Sequence, residues 1–325
     1  MSEGTGNNRV IIHAANPAPL ADVVAAQHPE IELAVCDSYQ ELPVMLEAFQ
    51  ADVVFSIRFA GTPTYPGDAM LGPYGPKWIA VGGSGIDHLG KWDPVRVTVT
   101  NSAGVAANMM AEFVMSAMLH FTHDIRGLEA DRKSRIWPAR VMDTVRNRHL
   151  LILGLGKTGQ ALARLAKAFG MTVTGVRANP RPTEAVDEVH PSSDLPRLWG
   201  RADYIAVCAP LLPSTRGLVN EASFAAMKPG AFLADVSRGG VVVETALVQA
   251  LQSGHLAGAA LDVFETEPLP PDNPLWGFEN VLITPHCSSV FHDWELATIS
   301  LFSENLGRWL RGKPLFNVVD PDRGY

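Results

Sequence analysis

Cysteine is scarce in this chain of 325 residues: Cys36, Cys208 and Cys287 are the only three. An odd, scattered set outside any CxxC spacing argues against a disulfide framework and against a structural zinc site. Cys287 stands beside His286, but adjacent residues of an extended segment point to opposite sides, so packing rather than nucleophilic chemistry is its expected role. Long apolar runs are missing as well. No stretch reaches the roughly 20 apolar residues that span a bilayer, and the opening "MSEGTGNNRV" has no apolar core of signal-peptide length. A cytoplasmic location without a membrane partner is expected. Nor is there an excess of positive charge: 26 Lys and Arg against 34 Asp and Glu leave a net charge of −8, which argues against a general nucleic-acid binder. Repeats of solenoid length, low-complexity tracts and heptads are absent too. What remains is a globular composition, 47% hydrophobic and 18% charged, in a chain whose length suits two domains of about 150 residues each.

The first hundred residues alternate short apolar runs with helix-like segments. "RVIIHAA", "IELAVCD", "ADVVFSIR", "KWIAVGG" and "VRVTVTN" read as buried strands, and residues 18–28 and 38–50 carry helical spacing. Such alternation implies a parallel sheet with helices on its faces. A largely apolar helix follows from about Val105 to His123, then a basic and polar interval, "DRKSRIWPARVMDTVRNRH". The strand–helix pattern restarts at "LLILGLG" and runs through "MTVTGVR", "ADYIAVCAP", "AFLADVS", "AGAALDV" and "NVLITPH" to an amphipathic helix over Trp294 to Leu310 that is expected to return to the first domain.

The restart carries the first chemical signal. A strand-like "LLIL" leads into "GLGKTG", residues 154–159, and then into the helix-like "QALARLAKAFG". In that setting Gly154 allows a tight turn, Gly156 lets the backbone approach a phosphate and Gly159 permits close strand–helix packing, while Leu155, Lys157 and Thr158 complete the loop. The helix N-terminus would face the pyrophosphate of a dinucleotide. Where such sites normally carry an acidic ribose ligand, this chain has Arg177, with Asn179 and Arg181 close behind. A carboxylate there would repel a 2′-phosphate, whereas a guanidinium binds one with paired, charge-assisted bonds. NADP(H) is therefore expected in preference to NAD(H).

Three later segments end predicted strands, where ligands bind in open α/β sheets: "FLADVSRGG" with Arg238, "LDVFETEP" with Asp262 and Glu267, and "LITPH" with His286. Together with "GLGKTG", "SRGGVV", "GAALDVFETEPLP" and "NPLW", and with "GGSGIDHLG" and "NSAGVAANMMAEF" upstream, they make nearly the whole chain similar to the D-2-hydroxyacid dehydrogenase family. The ending "NLGRWLRGKPLFNVVD" resembles the branch that includes glyoxylate and hydroxypyruvate reductases.

That resemblance implies hydride transfer between a nicotinamide cofactor and C2 of a small 2-keto or 2-hydroxy acid. It puts the catalytic trio on His286 as proton donor, Glu267 as its orienting partner and Arg238 as the substrate-carboxylate clamp. It also implies substrate contacts from Ser84, Gly85 and Arg58, and cofactor contacts from Cys208, Pro210, Thr215, Val236, Ser237 and Asp262, the last near the nicotinamide carboxamide. Trp137 is a candidate for reaching a partner subunit. "ADVSRGG" departs from the family's habit by placing Asp235 where Asn is common. The expected architecture is two doubly wound parallel-sheet α/β domains of Rossmann/flavodoxin-like type, a substrate domain of residues 1–101 and 294–325 and a cofactor domain of 102–293. A cleft between them is expected to close about hinges near Asn101 to Ala103 and just after His286, in a homodimer. Two other readings stay open: an NAD-dependent oxidising dehydrogenase of phosphoglycerate or formate type, and a nucleotide-sensing protein like the family's corepressor relatives.

Overall fold

The computed structural model describes residues 8–59, 64–86 and 88–321; the first seven residues of the amino-terminal segment read above lie outside them. Two compact units divide the chain, Met1–Val105 with His292–Tyr325, and Ala106–Phe291.

The first unit is built on strands β1 (Arg9–His13), β2 (Glu32–Cys36), β3 (Val53–Ser56), β4 (Trp78–Val81) and β5 (Thr98–Asn101), with helices α1 (Ala18–Gln27), α2 (Leu42–Phe49) and α3 (Gly67–Leu71) between them. The sheet is parallel in the order β2-β1-β3-β4-β5, the flavodoxin-like winding. Strands β3 and β4 are buried at every position, which is why they read as unbroken apolar runs rather than alternating ones. Side chains alternate between two cores. Val10 and Ile12 meet Phe55 and Trp78 on one face, while Ile11 meets Val54 and Ile79 on the other. Each such fully buried side chain contributes about 1.5–3 kcal/mol. The final helix, Trp294–Leu310, covers the first face with Ile299, Phe302 and Leu306; the Phe302 ring lies 5.0 Å from Phe55 and 5.3 Å from Trp78.

The second unit opens with helices α4 (Ala107–Thr122) and α5 (Ile125–Ser134). Its strands are β6 (His149–Leu153), β7 (Thr172–Val176), β8 (Glu188–His190), β9 (Tyr204–Val207), β10 (Ala231–Asp235), β11 (Leu256–Leu261) and β12 (Val281–Ile283), all parallel in the order β12-β11-β10-β9-β6-β7-β8. Between them lie α6 (Lys157–Ala168), α7 (Leu195–Leu198), α8 (Glu221–Ala226) and α9 (Glu244–Gln252); the final helix of the chain is thus α10. Leu151 and Leu153 pack with Val207 and Leu233 on one face of the sheet, and Leu150 and Ile152 with α4 and α6 on the other. This is the doubly wound order in which the chain reverses direction between β6 and β9, so that the strand ends beside that reversal form a ready crevice. No helix among the described residues is long and apolar enough to cross a membrane.

Candidate active site

The glycine turn lies at the carboxyl end of β6, beside the reversal. Gly154 has φ of 99°, a left-handed conformation that glycine adopts without strain; a Cβ there would lie 2.7 Å from the Ala209 nitrogen. Gly159 packs against the Gly154 carbonyl so closely that a methyl group would overlap it. Gly156 differs from both, for it faces open space. It is the N-cap of α6 and offers no side-chain cap. Among the described residues, no hydrogen bond uses the N–H groups of Leu155, Gly156, Lys157 or Thr158. Open donors at the positive end of a helix, next to a bare glycine face, fit a pyrophosphate.

At the end of β7, Arg177 is held through its backbone N–H to the His190 carbonyl (3.0 Å). Its guanidinium and that of Arg181 have no hydrogen-bond or ion-pair partner among the described residues, and Asn179 is exposed between them. Two unpaired cations on the adenosine side of the turn fit an additional phosphate. On the other side of the reversal, the loop after β9 is braced from within: Thr215 Oγ1 donates to the Pro210 carbonyl (2.6 Å) and accepts from Leu212 N–H (2.8 Å). Burial pushes the Cys208 thiol up to about 12, with the Asp235 charge adding to it, so this cysteine stays protonated. Val236 and Ser237 are buried as β10 leaves the sheet.

His286 and Glu267 meet there, 19 residues apart in sequence. His286 Nδ1 donates to Glu267 Oε2 at 2.8 Å, and both side chains remain more than a third exposed. Glu267 Oε1 accepts from Phe264 N–H at 3.1 Å. Burial raises the Glu267 carboxyl, but the His286 hydrogen bond and charge, the Phe264 N–H and the Arg238 charge outweigh it and hold the group below its ordinary 4.5. With Nδ1–H engaged, Nε2 is the ring atom left for a ligand. Arg238 donates from Nη1 to the Ser237 carbonyl at 2.7 Å, and its charge acts on both Glu267 and Asp235.

Sequence reasoning located Asp262 but not its surroundings. The carboxylate is 1% exposed. It accepts from Thr284 Oγ1 (2.7 Å), Cys287 N–H (2.8 Å), Ser288 N–H (3.1 Å) and Ser288 Oγ. These four donors flank His286, whose own φ is 53°, a left-handed conformation that needs support around it. Asp262 therefore pins the segment that presents the imidazole. Thr284 and Ser288 were not singled out from sequence, since nothing local marks them as partners of a carboxylate 22 and 26 residues away.

In the first unit, Arg58 is exposed just beyond the end of β3, and Ser84 and Gly85 follow β4. The turn is fixed by Asn101 Nδ2 donating to the Ser84 carbonyl (2.7 Å) and by Ser102 N–H donating to the Gly83 carbonyl (2.9 Å). Among the described residues, the Ser84 and Gly85 N–H groups take no hydrogen bond, so they are open to an anion. Behind Arg58, Tyr65 donates to Ser56 Oγ (2.8 Å), which contacts Nδ1 of fully buried His13 (2.8 Å). Burial lowers His13 to about 4, against a weaker opposing pull from Asp37, so it stays neutral. Trp137 follows α5 and is fully exposed. No group of three or more His, Cys, Asp and Glu side chains among the described residues could hold a metal ion.

Residues 115–288 match the model of the D-isomer specific 2-hydroxyacid dehydrogenase NAD binding domain. A glyoxylate reductase from Korarchaeum cryptofilum is 34% identical over 274 residues, 80% of this chain and 81% of that protein. The crystal structure of a D-isomer specific 2-hydroxyacid dehydrogenase family protein from Aeromonas salmonicida superposes with a TM-score of 0.87 at 29% identity, covering 98% of this chain and 100% of the other. An NADPH-dependent glyoxylate/hydroxypyruvate reductase from Sinorhizobium meliloti, solved with NADP and sulfate, superposes with a TM-score of 0.81 at 27% identity, covering 98% and 100%. The chain belongs to the D-isomer specific 2-hydroxyacid dehydrogenase family and is an NAD(P)-dependent oxidoreductase acting on 2-hydroxy or 2-keto acids.

Proposed function

We propose that the protein is an NADPH-preferring reductase of small 2-keto acids of the glyoxylate and hydroxypyruvate type. The observation that carries this reading is the pairing of two features on one sheet: the His286–Glu267 bond beyond β11 and β12, and the unpaired Arg177 at the end of β7. The names of the Korarchaeum and Sinorhizobium relatives support the substrate class, and the NADP in the latter supports the cofactor.

When bound between these residues, a reduced nicotinamide would supply the hydride that C2 of the keto acid receives. As the C2–O double bond opens, negative charge grows on oxygen, and His286 Nε2 gives it a proton. Glu267 holds the ring by Nδ1 and stabilises its charged form. Arg238 meets the substrate carboxylate with its planar fork and draws electron density from the carbonyl. In the first unit, Ser84 and Gly85 offer N–H groups, and Arg58 a cation, suited to a carboxylate. Gly154 to Gly159 would take the pyrophosphate and Arg177, Asn179 and Arg181 the 2′-phosphate; Cys208, Pro210 and Thr215 would run along the ribose and adenine, and Val236 and Ser237 would add further cofactor contacts. Asp262 acts on the imidazole through the segment it pins.

A homodimer belongs to this reading, since Ile136, Trp137, Val141 and Met142 are each exposed in the segment after α5, apolar side chains that a second copy would cover. Light scattering behind size exclusion would show about twice the 35.0 kDa chain mass, and a monomer would remove the dimer from the proposal.

The function itself is tested by following NADPH oxidation with glyoxylate, hydroxypyruvate, pyruvate and bulkier keto acids, and repeating the best with NADH. Turnover of a small keto acid with NADPH favoured is expected. No turnover of any of them would leave a nucleotide-binding role, and a clear NADH preference would remove the argument from Arg177.

A further inference from the structure

Two buried carboxyl groups end neighbouring strands on the nicotinamide side of the reversal. Asp262 follows β11 and accepts hydrogen bonds on both oxygens. Asp235 ends β10, is 3% exposed, and accepts on one oxygen alone: Ser237 N–H (2.9 Å) and Ser237 Oγ (2.6 Å) both donate to Oδ1. Its Oδ2 takes no hydrogen bond among the described residues. Two adjacent carboxylates out of water do not both hold charge comfortably. Geometry decides which one carries a proton, because Asp262 is stabilised by four donor groups as an anion and Asp235 by two.

The surroundings of Asp235 agree. From β9 it faces the protonated Cys208 thiol, from β11 the Asp262 charge, and from its own turn the Arg238 guanidinium. Glu244 at the start of α9 and Glu265 line with it a cavity of about 10 Å³, space for about one water. Burial, opposed by the Ser237 bonds and Arg238 and reinforced by Asp262, pushes Asp235 up to about 7.

Ser237 links this group to Arg238. It is fastened to Asp235 by its N–H and hydroxyl, and its carbonyl accepts from Arg238 Nη1 at 2.7 Å. We propose that Asp235 is a positioning residue that sets the Arg238 turn through Ser237 and, by gaining or losing a proton, shifts the nicotinamide site between preference for the neutral reduced ring and for the cationic oxidised ring. The inference rests on the dinucleotide reading above. A protonated Asp235 leaves the site suited to NADPH; an ionised one adds a negative charge that favours NADP⁺. Reduction of a keto acid is then helped at the acid side by cofactor exchange.

The test is the ratio of Kd for NADPH to Kd for NADP⁺, measured from pH 5.5 to 8.5 by NADPH fluorescence and by displacement with NADP⁺. The 2′-phosphate is common to both ligands, and His286 is present in both proteins compared. In the wild type the ratio should rise by about tenfold more than in Asp235→Asn, the size expected of one charge at short range in a partly screened site. Ser237→Ala keeps the carboxyl but deletes a bond to its ionised form, so the rise should move to higher pH. Equal slopes in wild type and Asp235→Asn overturn the proposal. Should the asparagine variant fail to fold, an unmoved rise in Ser237→Ala overturns it as well. Absence of binding of either nucleotide by wild type would instead refute the dinucleotide reading on which it stands.

Discussion

Replacing Asp262 with alanine removes one acceptor group and strands four donors around His286. Two of them have other options: Thr284 Oγ1 already lies 3.5 Å from the Leu261 carbonyl, and the Ser288 hydroxyl can rotate. The Cys287 and Ser288 N–H groups have none, because their backbone is fixed. An unsatisfied donor out of water costs about 1–3 kcal/mol, so Asp262→Ala should lose roughly 2–6 kcal/mol, a large part of the about 5–15 kcal/mol that typically holds a domain together. Asp262→Asn keeps Oδ1 for Thr284 and Cys287 but turns an NH₂ toward Ser288, and about 1–2 kcal/mol is expected. Urea unfolding followed by tryptophan fluorescence gives the stabilities. At a temperature where both variants remain folded, kcat should fall in the order wild type, Asn, Ala, with a smaller change in KM for the keto acid, since Arg238 is untouched. If Asp262→Ala costs less than about 1 kcal/mol and leaves kcat unchanged, the carboxylate does not pin the His286 segment.

The glycine turn allows a contrast within one loop. Gly159→Ala should lose about 1–3 kcal/mol by overlapping the Gly154 carbonyl, whereas Gly156→Ala points into open space and should change stability by no more than about 0.5 kcal/mol while weakening NADPH binding in titration; equal stability losses would contradict the geometry. Arg177→Asp should raise the NADPH KM by about tenfold or more, the loss of one charge-assisted phosphate contact, and favour NADH; an unchanged KM would mean that Arg177 does not meet the 2′-phosphate. Asp235 also makes stability depend on pH. Its folded value of about 7 lies above the ordinary 3.8, so the native state keeps a proton that the unfolded chain releases, and this stabilisation, fully present below about pH 4, is lost as pH climbs to about 7. Urea midpoints should show Asp235→Asn gaining on wild type by roughly 2–3 kcal/mol between pH 5 and pH 8, and parallel pH profiles would contradict a protonated Asp235.

The parallel sheets were legible because their strands are apolar on both faces and separated by glycine, proline and helix-period segments, as in "LLILGLG" and "AFLADVS". β8 was missed: Glu188, Val189 and His190, at a sheet edge, set a single apolar residue between two polar ones, too short a run to show a hydrophobic pattern. α5 was not legible: residues 125–130 fall in no element of the sequence reading and 131–134 in the basic and polar interval, because none of the helix's residues is buried. Arg238, Glu267 and His286 were found as strand-end residues and through resemblance, yet the 2.8 Å bond between the last two depends on β11 and β12 lying side by side. Asp235 was visible as a departure from the family's asparagine. Its burial beside Asp262 comes from the pairing of β10 with β11, which local sequence does not report.

The central claim is keto-acid reduction driven by NADPH with His286 as proton donor. It is tested most directly by the initial rate of NADPH oxidation with glyoxylate as sole acceptor, in wild type and in His286→Ala at equal nucleotide occupancy. The account predicts steady turnover by wild type and a fall in kcat of about 10²–10⁴-fold in the variant, with NADPH binding retained. Equal turnover by the two proteins would contradict it.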